Sequence, residues 1–297
     1  MSKASTIISA SELHQWRQWA EAQAIAADIS LGEISWFLQA LTSVTALDLK
    51  IGISRDVESS ASLAELKNLW EKRVEERVPV QYLVGKAPWR NFELIVTPDV
   101  LIPRPETEYI IDLAREAAEE NPALTTGHWV DLGTGSGAIA LGLAEQFPKA
   151  TIYAVDQNAA ALDIAKRNAA AYGMLEQIQF FQGSWWEPFQ EMQGKMSAMI
   201  SNPPYIPSKM LAGLQAEVCC HEPHSALDGG ATGLSDIEVL INESPDFLIS
   251  GGLWLIELMR GQGEAVADLL MQNGSYTQIR VINDFSGGDR YVLAKKR

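Results

Sequence analysis

The sequence predicts a doubly wound, mostly parallel α/β sheet with a small N-terminal helical domain ahead of it. Two observations carry this. From residue 128 onward, short apolar runs alternate with helical stretches, the pattern of strands buried on both faces and joined by crossover helices. Between about residues 11 and 78, apolar residues recur instead at helical spacing.

In chain order, Leu13, Trp16, Ala20 and Ala24 mark one helix, and Leu63, Leu66, Trp70 and Val74 another. Ser62 and Glu65 stand at capping-box spacing ahead of the second. These Trp and Leu positions read as core, and residues 1–78 as the helical domain. Pro79 ends the helices, and Gly85, Pro88 and the alternating Phe92, Leu94 and Val96 predict a hairpin, so residues 79–104 read as a hairpin linker. Within LIPRPETEYIIDLAREAAEE, an extended stretch set by prolines turns into a helix opened by Pro105 and acidic in its first turn. The main domain, residues 105–297, takes its strands from HWVDL, TIYAV, IQFFQ, SAMIS, LWLIEL and YVLAK.

Length and composition agree. A chain of 297 residues suits one large domain and one smaller one, and 47% hydrophobic with 21% charged residues is the balance of a soluble globular protein. A net charge of −15 argues against free nucleic acid, whose binding needs clustered Lys and Arg. The opening MSKASTIISASELHQW lacks the apolar stretch of an export signal. FLISGGLWLIELM, broken by Gly251 and Gly252, is too short to cross a bilayer, so no membrane is expected. The adjacent Cys219 and Cys220 fit neither a disulfide framework nor, with His221 and His224, the spacing of a metal site. A reducing, cytoplasmic setting follows, with no metal expected.

HWVDL runs directly into Gly133, Thr134, Gly135, Ser136 and Gly137, then into a helical stretch. Glycines there allow a tight turn and let a ligand press against bare backbone. Asp156 ends the next apolar run, at the spacing where a carboxylate accepts hydrogen bonds from ribose hydroxyls. Gly133, Gly135 and Ala138 also satisfy the looser dinucleotide fingerprint, so the loop alone leaves a nicotinamide cofactor open. Asp131, just before the loop, weighs toward the cationic S-adenosylmethionine, because a pyrophosphate would be repelled.

After SAMIS comes Asn202-Pro203-Pro204-Tyr205. The two prolines fix the backbone and lack N–H groups, leaving an acceptor-rich turn. An amide or exocyclic amine is a poor nucleophile. Accepting both of its N–H hydrogens aims the nitrogen and stabilises the charge that builds on it, work assigned to the Asn202 side-chain oxygen and the Pro203 carbonyl. Tyr205 offers a flat face to a planar amide or base.

This tetrapeptide after the fourth strand resembles the S-adenosylmethionine-dependent enzymes that methylate planar sp2-bound nitrogens. Within them, PVQYLVGKAPWRNFELIVTPDVLIPRPETE, DLGTGSGAIALGLA, SNPPYIP and EPHSALDGGATGL are similar to the release factor glutamine methyltransferases, the HemK/PrmC group. The resemblance runs from about Pro79 to the C-terminus. It implies a seven-stranded Rossmann-like methyltransferase sheet, S-adenosylmethionine on Gly133–Gly137, Asp156 and Asn202, and a glutamine substrate on Asn202–Tyr205. It implies as partners the class I release factors, held partly by the helical domain, with methylation at the glutamine of a Gly-Gly-Gln loop. It also implicates Trp185 as a wall of the adenine pocket, although Ser184 stands where an acidic residue is usual. Leu258 and Met259 depart from the pattern around Glu257, Gln262 and Gly263, a strand end read as structural. Arg104 and Glu106 are candidates for the cofactor mouth. The alternative is an adenine amino methyltransferase acting on DNA or RNA, which would need a basic recognition region.

Overall fold

The structure, a computed structural model, describes residues 6–297; the first five residues of the stretch read for an export signal lie outside them. The chain forms two compact units, Met1–Gly85 with Ala216–His221, and Lys86–Gln215 with Glu222–Arg297.

The first unit contains β1 (Thr6–Ile8), α1 (Ala10–Ala26), α2 (Leu31–Leu41), α3 (Ala46–Ile51), β2 (Val57–Ser59), α4 (Leu63–Glu75) and α5 (Val80–Val84). Leu13, Trp16, Ala20 and Ala24 are the buried face of α1, as their spacing requires. Trp16 stacks on Phe37 at 5.8 Å, and Trp70 meets the same ring edge-on at 5.5 Å. Ser62 and Glu65 close the expected capping box on α4. The hairpin begins later than the sequence suggests, because α5 precedes it. Pro79 cannot continue α4, but its fixed φ lets a new helix start, and Gly85 ends that helix at a φ of 78°.

One buried side chain ties a distant segment to these helices. Arg73 donates to both oxygens of Glu33, at 2.6 and 3.0 Å, and to Glu217 at 2.9 Å. Arg77 also meets Glu217, at 2.7 Å. Residues 216–221 are therefore part of this unit although they are cut from the middle of the other.

The second unit opens with the hairpin β3 (Lys86–Trp89) and β4 (Phe92–Ile95), then α6 (Tyr109–Glu120). There follow β5 (His128–Leu132), α7 (Ala138–Gln146), β6 (Thr151–Asp156), α8 (Ala159–Ala171), β7 (Ile178–Gln182) and β8 (Met196–Ser201). After α9 (Ala216–Cys219), which belongs to the helical unit, come α10 (Ser235–Phe247), β9 (Leu248–Glu257), α11 (Gly263–Asn273), β10 (Tyr276–Asn283) and β11 (Asp289–Lys296). The seven strands lie in the order β10-β11-β9-β8-β5-β6-β7, antiparallel only where β11 meets its two neighbours.

Both faces of the sheet are covered, which is why its strands read as continuous apolar runs. Trp129, Ile152, Ala154, Ala198 and Ile200 share a core with α6, α7 and α8. Their alternates Val130, Val155, Met199, Trp254 and Ile256 pack with α10 and α11. β5 pairs with β6 on one side and with β8, entered from β7, on the other, so the strand order reverses at β5. A crevice opens at the carboxyl end of such a strand.

Candidate functional site

Sheet register assembles the site. Leu132 pairs with Val155 on β6 and with Ser201 on β8, and Ser201 pairs with Ile256 on β9. The residues that follow, Asp156, Gly133, Asn202 and Glu257, therefore sit in a row across four strands. A cavity of about 360 Å³ lies above that row. Gly133, Thr134, Gly135, Ser136, Asp156, Trp185, Asn202 and Pro204 line it, as do Arg104 and Ser184. Gly137, Pro203, Tyr205 and Glu106 are not among the lining residues.

The glycine loop is held from below. Gly133 and Thr134 donate their N–H groups to the Val155 carbonyl at 2.9 and 2.8 Å. A methyl group on Gly135 would meet nothing within 4 Å, whereas one on Gly137 would lie 3.1 Å from the Ala165 side chain. Gly135 thus keeps ligand space open, and Gly137 lets α7 approach α8. Both hold left-handed φ values, 54° and 84°.

Asp131 does not face the cavity. It is fully buried, its Oδ2 accepting from Thr134 Oγ1 at 2.6 Å and from the Ala140 N–H at 3.1 Å, while Oδ1 has no partner. Period-two alternation sends it to the Trp129 side of β5, under the start of α7. Burial raises its pKa to about 7. It braces the loop's interior, which replaces the electrostatic role toward a cationic ligand expected from its place in the sequence.

Asp156 accepts from the N–H groups of Gly135 and Asn158, both at 2.9 Å, and a carboxylate with two such bonds retains acceptor capacity. Burial raises its pKa as well. Trp185, at a φ of 47°, lays its indole over Gly133; a methyl group there would touch its ring at 3.4 Å. Asp236 on α10 lines the same cavity, a carboxylate that sequence reasoning missed, and burial raises its pKa. Trp186, next to Trp185 in the chain, turns inward, donating to Ser244 at 3.1 Å and stacking on Phe247 at 4.5 Å.

The Asn202–Tyr205 turn is braced from two sides. Asn202 Nδ2 donates to Thr107 Oγ1 at 3.1 Å, and Thr107 donates to Glu257 Oε2 at 2.7 Å. The Tyr205 hydroxyl donates to Glu257 Oε1 at 3.2 Å, and Arg290 Nε stands 4.0 Å from the same oxygen. Burial raises the Glu257 pKa, while Thr107, Arg290 and Tyr205 favour its charged form. Burial and that neighbouring carboxylate push the Tyr205 phenol well above the usual range.

On the other side, Gly229 and Gly233 lie directly against the turn. A methyl group on either would approach the Pro204 or Tyr205 carbonyl to 2.7 or 2.3 Å. Gln262 Nε2 donates to the Tyr205 carbonyl at 3.0 Å and to that of Gly233 at 3.2 Å. Gly229 and Gly233 of DGGATG thus owe their place to backbone approach, while Gly230, at a φ of 83°, makes room for the Ser235 side chain. Arg104 at the cavity wall pairs with the buried Glu222. Thr107, Glu222, Asp236 and Glu257 were not assigned a site role from the sequence; Thr107 and Glu222 carried a signal as members of the matching stretches LIPRPETE and EPHSALDGGATGL, and Glu257 as a match in an otherwise divergent strand end, whereas Asp236 carried none.

Comparison with known proteins adds to this geometry. Residues 113–230 match the family model of the methyltransferase small domain. The chain is 47% identical over 291 residues to the release factor glutamine methyltransferase of Synechocystis sp., covering 97% of each chain. It is 43% identical to that of Thermosynechococcus vestitus, covering 97% of this chain and 99% of the other. Among solved structures, the hMettl16 catalytic domain in complex with MAT2A 3′UTR hairpin 6 aligns at a TM-score of 0.54 and 12% identity, over 83% of this chain and 86% of that one. That likeness concerns the fold alone.

Proposed function

Because this chain belongs to the release factor glutamine methyltransferases, we infer that it methylates the side-chain amide nitrogen of a glutamine in a peptide-chain release factor. The donor in this reading is S-adenosylmethionine, the glutamine is that of the Gly-Gly-Gln loop of class I factors, and the setting is the cytoplasm. Among the described residues no helix is long and apolar enough to cross a membrane.

The residues present suit the donor. Bare backbone at Gly133 and Gly135 admits a ligand edge, with Thr134 and Ser136 beside it, and Asp156 has acceptor capacity for a diol. Trp185 supplies an apolar wall. When bound, S-adenosylmethionine supplies a methyl group on a cationic sulfur, which departs neutral and needs no metal. Gly137 supports the loop from outside the cavity.

The observation that carries the reading is that Asn202 and Pro204 open onto the same cavity as Gly133 and Asp156. In this reading Asn202 Oδ1 accepts one N–H hydrogen of the target amide and the carbonyl of Pro203, a residue between the lining Asn202 and Pro204, accepts the other, which aims the nitrogen and opposes the positive charge that develops on it. Pro203 and Pro204 hold that turn rigid. Tyr205 does not itself line the cavity; its ring backs the turn against which the planar amide packs, and its phenol stays protonated, donating to Glu257, so it acts as a support and not as a base.

The test is single-turnover methylation of an unmodified release factor, with cofactor binding measured separately. Asn202→Ala should slow methyl transfer by about 100- to 1,000-fold, or ~2.7–4 kcal/mol, by analogy with loss of one oxyanion-hole donor. Cofactor affinity should change far less. A variant near the wild-type rate would remove Asn202 from the chemistry.

A further inference from the structure

An asparagine side chain can present either its oxygen or its NH2 group to a ligand, and shape hardly distinguishes the two. The acceptor role of Asn202 needs the oxygen. Resting on that reading, we propose that Glu257, acting through Thr107, is the positioning residue that fixes which way the Asn202 amide faces.

A hydroxyl has one hydrogen to give, and a carboxylate has none. With Glu257 ionised, the form that Thr107, Arg290 and Tyr205 favour, Thr107 Oγ1 at 2.7 Å from Oε2 commits its hydrogen there. Only lone pairs are left for Asn202, 3.1 Å away, and the Asn202 atom that meets them must be Nδ2. Turning the amide over would set Oδ1 against an oxygen with no hydrogen to offer, at the cost of a buried unmade hydrogen bond. An acceptor-only group two hydrogen bonds away thereby selects the oxygen for the cavity. Thr107 lines the cavity but is only 5% exposed, and Glu257 is fully buried, so the Thr107–Glu257 bond is shielded from bulk water.

The same carboxylate serves the other end of the motif. Its Oε1 takes the Tyr205 hydroxyl hydrogen at 3.2 Å, and Arg290 offsets its charge. Glu257 sits where it does because Ile256 pairs with Ser201, which puts Glu257 level with Asn202. One residue on β9 thus orients two of the four residues of the turn.

A merely structural role for Thr107 would predict lost stability and no selective effect on methyl transfer. Thr107→Val removes the hydroxyl and keeps the shape, while Thr107→Ser keeps the hydroxyl. We expect Thr107→Val to slow single-turnover methylation of an unmodified release factor by about 10- to 100-fold, as for a misplaced reacting group, with cofactor Kd within about twofold of wild type. Thr107→Ser should stay within about threefold of the wild-type rate. In an Asn202→Ala background, Thr107→Val should cost no more than about twofold further, because nothing is left to orient. Glu257→Gln, whose amide can give Thr107 a hydrogen and so reverse the chain, should lose about tenfold or more.

A near-wild-type rate for Thr107→Val, equal losses in the Val and Ser variants, or full multiplication of the Thr107→Val and Asn202→Ala losses would each overturn the relay. If Asn202→Ala itself turned over normally, the acceptor reading beneath the relay would be the part that failed. Melting temperatures and circular dichroism of each variant guard against misfolding, and the serine variant keeps the test decisive if valine does not fold.

Discussion

Replacing Asp131 by asparagine should change how the protein's stability depends on pH. The carboxyl group is fully buried, one oxygen lacks any partner, and its pKa is raised to about 7 from an ordinary 3.8. A group whose pKa is higher in the folded chain contributes stability that is fully present below the unfolded value and lost as pH rises through the folded one. For a folded pKa of about 7, the contribution lost between pH 6 and pH 8 is ~1.4 kcal/mol, obtained from RT times the logarithm of the ratio of the two binding polynomials. Over the whole interval between the two pKa values the loss approaches ~4 kcal/mol. Urea unfolding at pH 6 and pH 8, followed by Trp fluorescence, gives the wild-type difference. The amide introduced by Asp131→Asn does not titrate, and its oxygen still accepts from Thr134 and the Ala140 N–H. The wild type should therefore gain ~1.4 kcal/mol more than Asp131→Asn when the pH is lowered from 8 to 6. Identical pH dependence in the two proteins would refute the assignment of an ionisable buried strut under the loop.

Asp156→Ala should weaken S-adenosylmethionine binding by roughly 1.5–3 kcal/mol, the loss for hydrogen bonds to a charged acceptor, as read by calorimetric titration. Because burial raises the Asp156 pKa and ligand hydroxyls favour its ionised form, wild-type affinity should fall as pH is lowered through that pKa, and an affinity flat in pH would contradict this. Gly135→Ala should reduce cofactor affinity, since its methyl group enters open cavity, while Gly137→Ala should chiefly lower the melting temperature, since its methyl group presses on Ala165; the reverse pattern would exchange their roles. Glu217→Gln takes a carboxylate from Arg73, whose side chain is 5% exposed, and should cost about 1.5–3 kcal/mol in the unfolding free energy of the helical unit. Unchanged stability would show that residues 216–221 are held by something other than this ion pair.

Much of the fold and part of the site were legible because their causes are local. Continuous apolar runs in the sheet strands, period-two alternation in the hairpin and apolar faces with period 3.6 in the helices are all written locally in the chain. The glycine loop and the Asn202–Tyr205 turn are contiguous, so their backbone chemistry is written in adjacent residues. Asp156, which the structure places on the cavity wall, stood out in the sequence because it ends the strand after the loop. The hairpin's start was missed because Pro79, which stops one helix, is equally able to begin the next.

What the sequence left undecided depends on which strand lies beside which, and at what offset. Asn202 meets Thr107 across 95 residues and Thr107 meets Glu257 across 150; a register slip of one residue on β9 would turn Glu257 to the other side of the sheet. Arg73 finds Glu217 across 144 residues, and no local pattern announces that pairing. Asp131 shows the distinction at a single position. Its neighbours in the chain place it beside the ligand loop, but pleat alternation points it into the interior, where only the packing of α7 determines what its oxygens meet. Sequence by itself thus determined the sheet class, the helical character of the N-terminal stretch and the two contiguous motifs, while tertiary structure decided which distant segments and partners join and orient them, because hydrogen-bond partners follow from register and packing and not from proximity along the chain.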